Sequence, residues 1–411
     1  MTVDMTMADA VALDAADPLA GLRDEFLLPA DVIYLDGNSL GAMPKSTPDR
    51  IATVVRHEWG ERLIRSWNEA GWWSASRRVA DLLAPLLGAS ADEVVVADST
   101  SVNLFKLLMA GLAMRPGRPV VVAERNAFPT DVYIARSVTE LTGGELRLID
   151  DQTELASVVD ERVGVVCLSH VDFRTGEMWP AVATTAAVRE SGALMLWDLC
   201  HSTGAVDVRL HDWNADLAVG CGYKYLNGGP GAPSYAFVAT EHHSDLTTPL
   251  PGWHGHADPF AMRPDYLPAA GIGQLAAGTP PMLSLLALED AVRVLAGVST
   301  AELRAKGIAL TSLFINLITT RCPELALVSP PDADRRGAQV SLRFEHAFGL
   351  VQALIERGVI GDFRAPDIAR FGFAPAYVRH ADVWAAVEAI TQVMAAREYL
   401  DDRFTSRSAV T

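Results

Sequence analysis

The sequence lacks the marks of several large classes of protein. Its four cysteines, Cys167, Cys200, Cys221 and Cys322, show neither a CxxC motif nor the Cys/His spacing of a zinc site. Buried free thiols in a reducing compartment are therefore favoured over disulfides or a metal. No apolar run approaches the ~20 residues that span a bilayer. The acidic start of the chain has no basic stretch or apolar core typical of a signal peptide, and we expect a cytoplasmic protein.

Positive charge is also scarce. The chain carries 34 Lys and Arg residues against 51 Asp and Glu residues, a formal charge of −17. This balance argues against nucleic acid or an anionic membrane as the main partner, although it leaves room for a local cationic pocket. No strand candidate is followed by GxGxxG, so the chain has no dinucleotide-binding fingerprint.

Short apolar runs alternate with helical patterns between about residues 75 and 240. The strand candidates are EVVVAD, PVVVAE, ELRLID, RVGVVCLSH, ALMLWD and DLAVGCG. This alternation predicts an α/β domain with a largely parallel sheet. Because ligands of such sheets bind beyond the carboxyl ends of the strands, catalytic residues are expected there.

The pattern predicts that the chain is divided into three parts. We expect residues 1–50 to form an N-terminal segment that packs with the small domain, and residues 51–285 to form the large α/β domain. Residues 286–411 then form a small α+β domain with the strands QVSLRF, VIGDF and IARFGF. Ser299, with Glu302 three residues later, predicts a capping box at the start of one of its helices.

One lysine stands at the end of a buried strand. DLAVGCG runs directly into Tyr223-Lys224-Tyr225 and then into the glycine-rich turn NGGPG. A lysine amine becomes a nucleophile when desolvation lowers its pKa. Lys224 is therefore a candidate Schiff-base residue, although an isolated lysine in a loop is more often an ordinary surface residue.

Three other strand ends carry polar side chains. ALMLWD ends in Asp198. This residue is either a structural acid, in a salt bridge or a helix cap, or the partner of a protonated pyridine nitrogen in a cofactor. EVVVAD runs into Ser99-Thr100-Ser101, an ordinary helix cap or a phosphate site at a helix N-terminus. PVVVAE is followed by Phe128-Pro129-Thr130-Asp131, a helix start whose ring could stack on a planar cofactor.

Tryptophans are concentrated in one irregular segment, which contains Trp67, Trp72 and Trp73. They either cover the core or frame a flat ring substrate, and the sequence leaves both interpretations open.

Taken together, these motifs resemble the fold-type I pyridoxal-phosphate enzymes, and among them the kynureninase family. The resemblance rests on YLDGNSLGAMP, LIRSWNEAGWW, DSTSVNLFKLL, FPTDVYIA, WDLCHSTGAV, GCGYKYLNGGPG, GWHGH, GTPP and VIGDFRAPDIARFGF. These segments occur in the family's order from residue 34 to residue 373. The resemblance implies a mainly parallel seven-stranded sheet in a large cofactor-binding domain, with a small α+β C-terminal domain.

The resemblance also implies a site that holds pyridoxal 5′-phosphate. Lys224 binds the cofactor covalently and later moves the α-proton, Asp198 pairs with the pyridine nitrogen, and Tyr223 is a candidate base or oxyanion donor. The other cofactor-binding positions that it implies are Thr100, Ser101, Phe128, Pro129, Thr130, Asp131, Ser169, His201, Trp253 and Thr279. Thr279 comes from the neighbouring subunit, which implies a homodimer with shared active sites.

On the substrate side, the resemblance implies that Trp67 packs near the aromatic ring and that Arg370 clamps the α-carboxylate. Asn38 and Ser39 are implied as further substrate-binding residues. The sequence departs from the family at Gln274, where relatives carry arginine five residues before the threonine.

The implied activity is the hydrolysis of L-kynurenine, or of its 3-hydroxy form, to an anthranilate and L-alanine. Three alternatives remain: a cysteine desulfurase or selenocysteine lyase of the same fold, an aminotransferase, and a catalytically silent cofactor-binding protein. A desulfurase needs a mobile nucleophilic cysteine, and the candidate, Cys322, follows a helical run instead.

Overall fold

The computed structural model describes residues 5–404, and the first part of this chain has little regular structure. It contains the one short helix that the sequence predicts, α1 (Met7–Ala16), and three two-residue strands. These strands are β1 (Phe26–Leu27), β2 (Ile33–Tyr34) and β3 (Met43–Pro44).

A seven-stranded sheet forms the centre of the large domain. Its strands are β4 (Val94–Val96), β5 (Val120–Glu124), β6 (Glu145–Ile149), β7 (Val163–Ser169), β8 (Leu194–Asp198), β9 (Leu217–Cys221) and β10 (Ser234–Val238), in the order β4-β10-β9-β8-β7-β5-β6. Only β10 runs antiparallel to its neighbours, so the predicted mainly parallel sheet is confirmed. The sequence analysis did not identify β10. Its link to β9 contains no helix that could serve as a crossover, and the chain returns antiparallel.

Helices cover both faces of this sheet. They are α2 (Thr47–Thr53), which continues as a π-helical segment (Val54–Trp59), α3 (Ser66–Glu69), α4 (Ala75–Leu87), α5 (Thr100–Met114), α6 (Pro129–Thr142), α7 (Leu155–Val158) and α8 (Ala181–Glu190). Alternate residues of β8 enter different hydrophobic clusters: Leu194 and Leu196 pack with α5, whereas Met195 and Trp197 join the cluster of the opposite face. With both faces buried, the edge formed by the strands' carboxyl ends is left for a ligand.

The C-terminal part is the α+β unit that the sequence predicts. Its elements are α9 (Met282–Leu295), α10 (Thr300–Arg321), β11 (Ala326–Leu327), β12 (Gln339–Arg343), α11 (Ala347–Glu356), β13 (Val359–Ile360), β14 (Asp362–Arg364), β15 (Ile368–Gly372) and α12 (His380–Ala396). An antiparallel sheet of order β11-β12-β15-β14 packs with these helices. Of the predicted capping box, the structure shows the Ser299 half: its hydroxyl accepts from the Glu302 amide at 3.4 Å.

The N-terminal segment packs on this C-terminal part. Strand β2 pairs in parallel with β13, and Asp17 forms a buried ion pair of 2.7 Å with Lys306 of α10. Asp14 of α1 accepts hydrogen bonds from the first amides of α12, from His380 at 2.6 Å and Ala381 at 3.0 Å. These contacts support the expected packing, and the exact domain boundaries stay a prediction. Within residues 5–404, no helix has both the length and the apolar character needed to cross a membrane.

The contact between Asp14 and α12 gives a first testable prediction. We expect Asp14→Ala to lower the free energy of unfolding by about 1–2 kcal/mol, because the first amides of α12 lose a charged cap. Urea unfolding measures the change, with Asp24→Ala at an exposed position as the control. Equal stabilities of the two variants would contradict the capping role.

Candidate active site

One cavity lies at the carboxyl ends of the central strands. Its volume is about 150 Å³. Its walls consist of Ser99, Thr100, Ser101, Phe128, Thr130, Asp131, Ser169, Val171, Phe173, Asp198, Cys200, His201, Tyr223 and Lys224. Ten of the residues proposed from the sequence therefore meet here, and Pro129, at the first turn of α6, stands beside them. This convergence follows from the parallel sheet, which brings the ends of β5, β7, β8 and β9 to one edge.

Lys224 projects into the cavity from the loop after β9. Its Nζ lies 2.8 Å from His201 Nε2 and 6.0 Å from the centre of the Phe128 ring. The N-terminal segment crosses this loop closely, since the Gly41 amide donates to the Tyr223 carbonyl oxygen at 2.8 Å. A Cβ at Gly41 would collide with the Lys224 carbonyl oxygen, so glycine is required at this crossing.

Two buried acids face each other across the cavity from Lys224. Asp198 ends β8 and Asp131 lies in the first turn of α6. Burial and the neighbouring Asp198 carboxylate raise the pKa of Asp131 well above its usual value. Two carboxylates without a cation between them are costly in a buried place, so this pair is suited to a cationic N–H group of a ligand.

The start of α5 forms another part of the cavity wall. Ser99 caps the helix, and its hydroxyl accepts from the Val102 amide at 3.4 Å. Thr100 and Ser101 open the helix on the cavity wall. Free amides and hydroxyls at a helix N-terminus can bind phosphate, so a phosphate site at this helix start stays a prediction beside the helix cap that Ser99 forms.

Two aromatic side chains complete the wall. The Phe128 ring is 47% exposed and meets Phe173 edge-on at 5.4 Å. An exposed ring at a cavity mouth offers a face for a planar ligand. Burial raises the pKa of the Tyr223 hydroxyl above its usual value, so this group stays protonated and acts as a hydrogen-bond donor.

Arg370 lies behind the cavity wall and is only 1% exposed. Its Nε donates to Asp362 Oδ1 at 2.8 Å, and its Nη2 donates to Asp362 Oδ2 and, at 3.1 Å, to Ser39 Oγ. Its Nη1 donates to the Phe173 carbonyl oxygen. Four of its five N–H groups are thus used, and a substrate carboxylate needs a rearrangement of these partners.

The remaining predicted residues lie outside the cavity of this single chain. Asn38 and Ser39 contact Arg370, with the Asn38 amide oxygen 2.9 Å from Arg370 Nε once the amide is turned to face it. Trp67 packs edge-on against Trp72 at 6.0 Å. Trp253 packs against Trp73 at 5.8 Å, Thr279 is exposed, and the expected phosphate contacts of both stay a prediction. Gln274 is buried, and its amide donates to the Gly271 carbonyl oxygen at 3.1 Å.

Sequence reasoning missed several residues that shape the site. Phe173 lines the cavity, Asp362 holds Arg370, and Gln339 bonds His201 Nδ1 at 3.1 Å. Gln339 opens β12 of the small domain and is distant in sequence from His201, and Asp362 lies on β14, beside the strand β15 that carries Arg370. Strand β12 alternates polar and apolar residues (QVSLR), so its sequence did not single out Gln339.

Beside the active-site cavity lies a second cleft of about 410 Å³, lined in part by Glu124, Asp172, Glu177 and Trp179. Burial and the nearby Asp172 raise the pKa of Glu124 to about 7, against the hydrogen bond from Trp179. An acid whose folded pKa is raised contributes stability that is fully present below the unfolded pKa. That contribution is lost as the pH rises towards about 7.

We therefore expect Glu124→Gln to become increasingly more stable than the parent chain as the pH rises from 5 to 8. The gain reaches about 1–2 kcal/mol, because the amide removes the buried charge. Urea unfolding at both pH values measures it, with Glu161→Gln at an exposed position as the control. A gain that is equal at pH 5 and pH 8 would be inconsistent with the raised pKa.

The four cysteines are free thiols, as predicted. Cys322 is buried at the end of α10, with its Sγ 3.6 Å from Thr391 Oγ1. It does not line the cavity that holds Lys224. Cys322, the cysteine considered for a desulfurase, is therefore buried away from Lys224, whereas Cys200 lines the cavity.

Solved structures share this fold. A cysteine desulfurase from Thermococcus onnurineus NA1 aligns with a TM-score of 0.77 at 16% identity, covering 91% of this chain and 98% of its own. A C-DES variant with glycine covalently linked to its pyridoxal-phosphate cofactor aligns with a TM-score of 0.79 at 17% identity, covering 90% and 98%. The chain thus has the architecture of the fold-type I pyridoxal-phosphate enzymes.

Its sequence relatives are more specific. Residues 303–390 match the kynureninase C-terminal domain. A kynureninase of Burkholderia mallei is 48% identical over 414 residues, covering 99% of this chain and 100% of the relative. A kynureninase of Pseudomonas fluorescens is 47% identical with the same coverage. The chain belongs to the kynureninase family.

Proposed function

We propose that this chain binds pyridoxal 5′-phosphate in the cavity around Lys224 and hydrolyses L-kynurenine, or 3-hydroxy-L-kynurenine. The products are anthranilate, or 3-hydroxyanthranilate, and L-alanine. The observation that carries the proposal is 48% identity to a kynureninase along essentially the whole of both chains. An amine at the cavity, in the form of Lys224, supplies the chemistry that such a reaction needs.

The residues around the cavity fit the cofactor. The paired carboxylates of Asp131 and Asp198 need a cationic N–H group, which a protonated pyridine nitrogen provides. The start of α5 suits the phosphate, and the exposed Phe128 face suits the ring. When bound, pyridoxal phosphate supplies an electron sink for the negative charge that develops at the substrate carbons.

Lys224 and His201 handle the proton at the substrate α-carbon. The Lys224 amine takes this proton and returns it at a later step. His201 Nε2, 2.8 Å from Lys224 Nζ, accepts a hydrogen bond from the amine and orients it. Burial and the charge of Lys224 keep the pKa of His201 well below its usual value, so the imidazole is neutral.

Tyr223 acts at the ketone. Water adds to the ketone carbon, the Cβ–Cγ bond breaks, and Cβ takes up a proton to become the methyl group of alanine. Because burial keeps the Tyr223 hydroxyl protonated, it donates a hydrogen bond to the ketone oxygen as charge develops there. Of the two roles considered for Tyr223, oxyanion donor therefore fits better than base.

Arg370 binds the substrate α-carboxylate in this proposal. One of its N–H groups has no partner in its present set of hydrogen bonds, and Phe173, whose carbonyl holds Nη1, lines the cavity. Movement that releases this carbonyl would free both N–H groups of Nη1 for the carboxylate, and a fork through Nη1 and Nη2 would also require Nη2 to give up one of its partners. Asn38 and Ser39 hold the guanidinium from the other side.

We further propose a homodimer with shared active sites in the cytoplasm. The supporting surface is a cluster of exposed apolar side chains that includes Trp73, Trp253, Phe260 and Met262. Exposed apolar patches of this kind typically mark protein interfaces. Thr279 is exposed at the end of the adjoining loop, where it is free to reach the phosphate end of a partner's cavity. The four free thiols are in keeping with a reducing compartment.

A complementation experiment tests the shared site. Lys224→Ala and Thr279→Asp chains are each expected to be inactive alone, because the second change places a negative charge beside the phosphate. Mixed dimers contain one site with neither change if Thr279 acts across the interface, so the mixture should recover about a quarter of parental activity. Recovery that stays at background would place Thr279 in its own chain's site and overturn the proposal.

The activity itself is tested with the holoenzyme and three substrates. L-kynurenine should yield fluorescent anthranilate together with alanine in equal amounts. Comparison with 3-hydroxy-L-kynurenine gives the ring preference, on which Gln274 bears. Formation of alanine from L-cysteine, with none from either kynurenine, would replace the proposal by the desulfurase interpretation.

A further inference from the structure

Gln339 links the small domain to the residue that contacts Lys224. It is the first residue of β12, and it is 1% exposed. Its amide nitrogen donates to the carbonyl oxygens of Asp172 at 3.2 Å and Phe173 at 3.0 Å. Its amide oxygen lies 3.1 Å from His201 Nδ1.

These contacts fix which ring nitrogen of His201 carries the proton. Both hydrogens of the Gln339 amide point to carbonyl oxygens, which are acceptors, so the amide cannot be turned around without facing acceptor to acceptor. Its oxygen must therefore face His201, and Nδ1 must be the donor. In a neutral imidazole, Nε2 then bears a lone pair, and it faces Lys224 Nζ at 2.8 Å.

The charges around His201 support the neutral ring. Lys224 from the loop after β9, Arg370 from β15 and Arg364 from β14 all lower the pKa of His201, in addition to burial. A second proton on the ring would place a cation beside three others. The hydrogen bond with Gln339 favours the cation slightly, but it is the weaker effect.

We propose that Gln339 is a positioning residue that holds His201 in its Nδ1-protonated tautomer, so that Nε2 presents an acceptor to Lys224. Without Gln339, the buried Nδ1–H group has no acceptor, and the proton moves to Nε2. A donor would then face the Lys224 amine and no longer orient it. The kinetic part of this inference rests on the proposed function, whereas the tautomer does not.

The tautomer is measured by ¹⁵N NMR of the full-length chain labelled at histidine, without added substrate. His201→Asn assigns the signal. We expect the Nδ1-protonated pattern in the parent chain and a shift to the Nε2-protonated form in Gln339→Leu. Ser341→Ala is the matched control, because its buried hydroxyl joins the same strand to the Arg174 carbonyl of the same loop without contacting His201. An Nε2-protonated parent, or a Leu variant with the parental pattern, would overturn the inference.

A pH profile of the holoenzyme gives a second readout. In Gln339→Glu the introduced carboxylate faces Nδ1–H and raises the pKa of His201, so the acidic limb of kcat/KM should move up by about one pH unit. In Gln339→Leu, which has no acceptor for Nδ1–H, kcat should fall roughly tenfold because the orientation of Lys224 is lost, and Ser341→Ala should keep the parental profile. An unmoved limb, or an equal shift in the control, would reduce Gln339 to a structural role. Failure of the proposed function itself would leave the NMR result intact.

Discussion

Replacing Lys224 by alanine is expected to abolish turnover of L-kynurenine, with kcat lowered by about 10⁴-fold. The chain has four lysines, and the other three are committed elsewhere or exposed. Lys106 is buried against Asp98, Lys306 pairs with Asp17 at 2.7 Å, and Lys45 lies on the surface. Lys224 alone among them lines the cavity, so no other amine can replace it.

The measurement combines turnover with covalent trapping. Borohydride reduction of the holoenzyme followed by peptide mapping should place the cofactor on the peptide that contains Lys224, and the alanine variant should give no adduct. Lys45→Ala is the matched control and should retain parental activity and trapping. An adduct on another lysine, or turnover in the Lys224 variant, would refute the assigned role.

The second large effect is expected for Asp198→Asn, which should lower turnover but raise the stability of the cofactor-free chain. Turnover should fall by about 10²–10³-fold, because the pyridine nitrogen loses its anionic partner. The cofactor-free chain, in contrast, should become more stable above neutral pH. Burial and, after it, the facing Asp198 raise the pKa of Asp131, so the repulsion between the two acids adds to the loss of stability as the pH rises and Asp131 ionises. The amide oxygen can still accept from the Cys200 amide, which is 2.7 Å from Asp198 Oδ1.

Asp131→Asn is the control for this pair. It relieves the same repulsion, so urea unfolding of the cofactor-free chain at pH 8 should show a similar gain in stability. Its turnover should fall less than that of Asp198→Asn, since the proposed partner of the nitrogen is kept. Equal losses of activity would show that the two acids act together, and the single assignment to Asp198 would then be wrong.

Much of the large domain could be predicted because its signals are local. The runs that became β5, β7, β8 and β9 are short, apolar and rich in β-branched residues, and helical periods separate most of them. Parallel pairing then places their carboxyl ends together, whatever the loops between them contain. The sheet therefore explains why Asp198 and Lys224 meet, although 26 positions separate them in the sequence.

The features that were missed depend on contacts between distant parts of the chain. β10 was overlooked although its residues, SYAFV, form a buried run; only its antiparallel direction depends on its pairing with β9. The fork between Arg370 and Asp362 forms because β14 and β15 are neighbours in register, with Asp362 directly opposite Arg370. Arg370, which the sequence presents as a free partner for a substrate carboxylate, is therefore already hydrogen-bonded to Asp362 in the folded chain.

The sequence by itself determined the α/β plan, the order of the motifs and the candidate for the reactive lysine. These follow from hydrophobic period, turn residues and the residue types that the chemistry requires, all of which are local properties. Only the tertiary structure decided the states of these groups: the paired acids at Asp131 and Asp198, the neutral His201 facing Lys224, and the hydrogen bond that Gln339 makes across the domains. Protonation and hydrogen bonding depend on burial and on neighbours brought together by folding, so they belong to the fold rather than to any one segment.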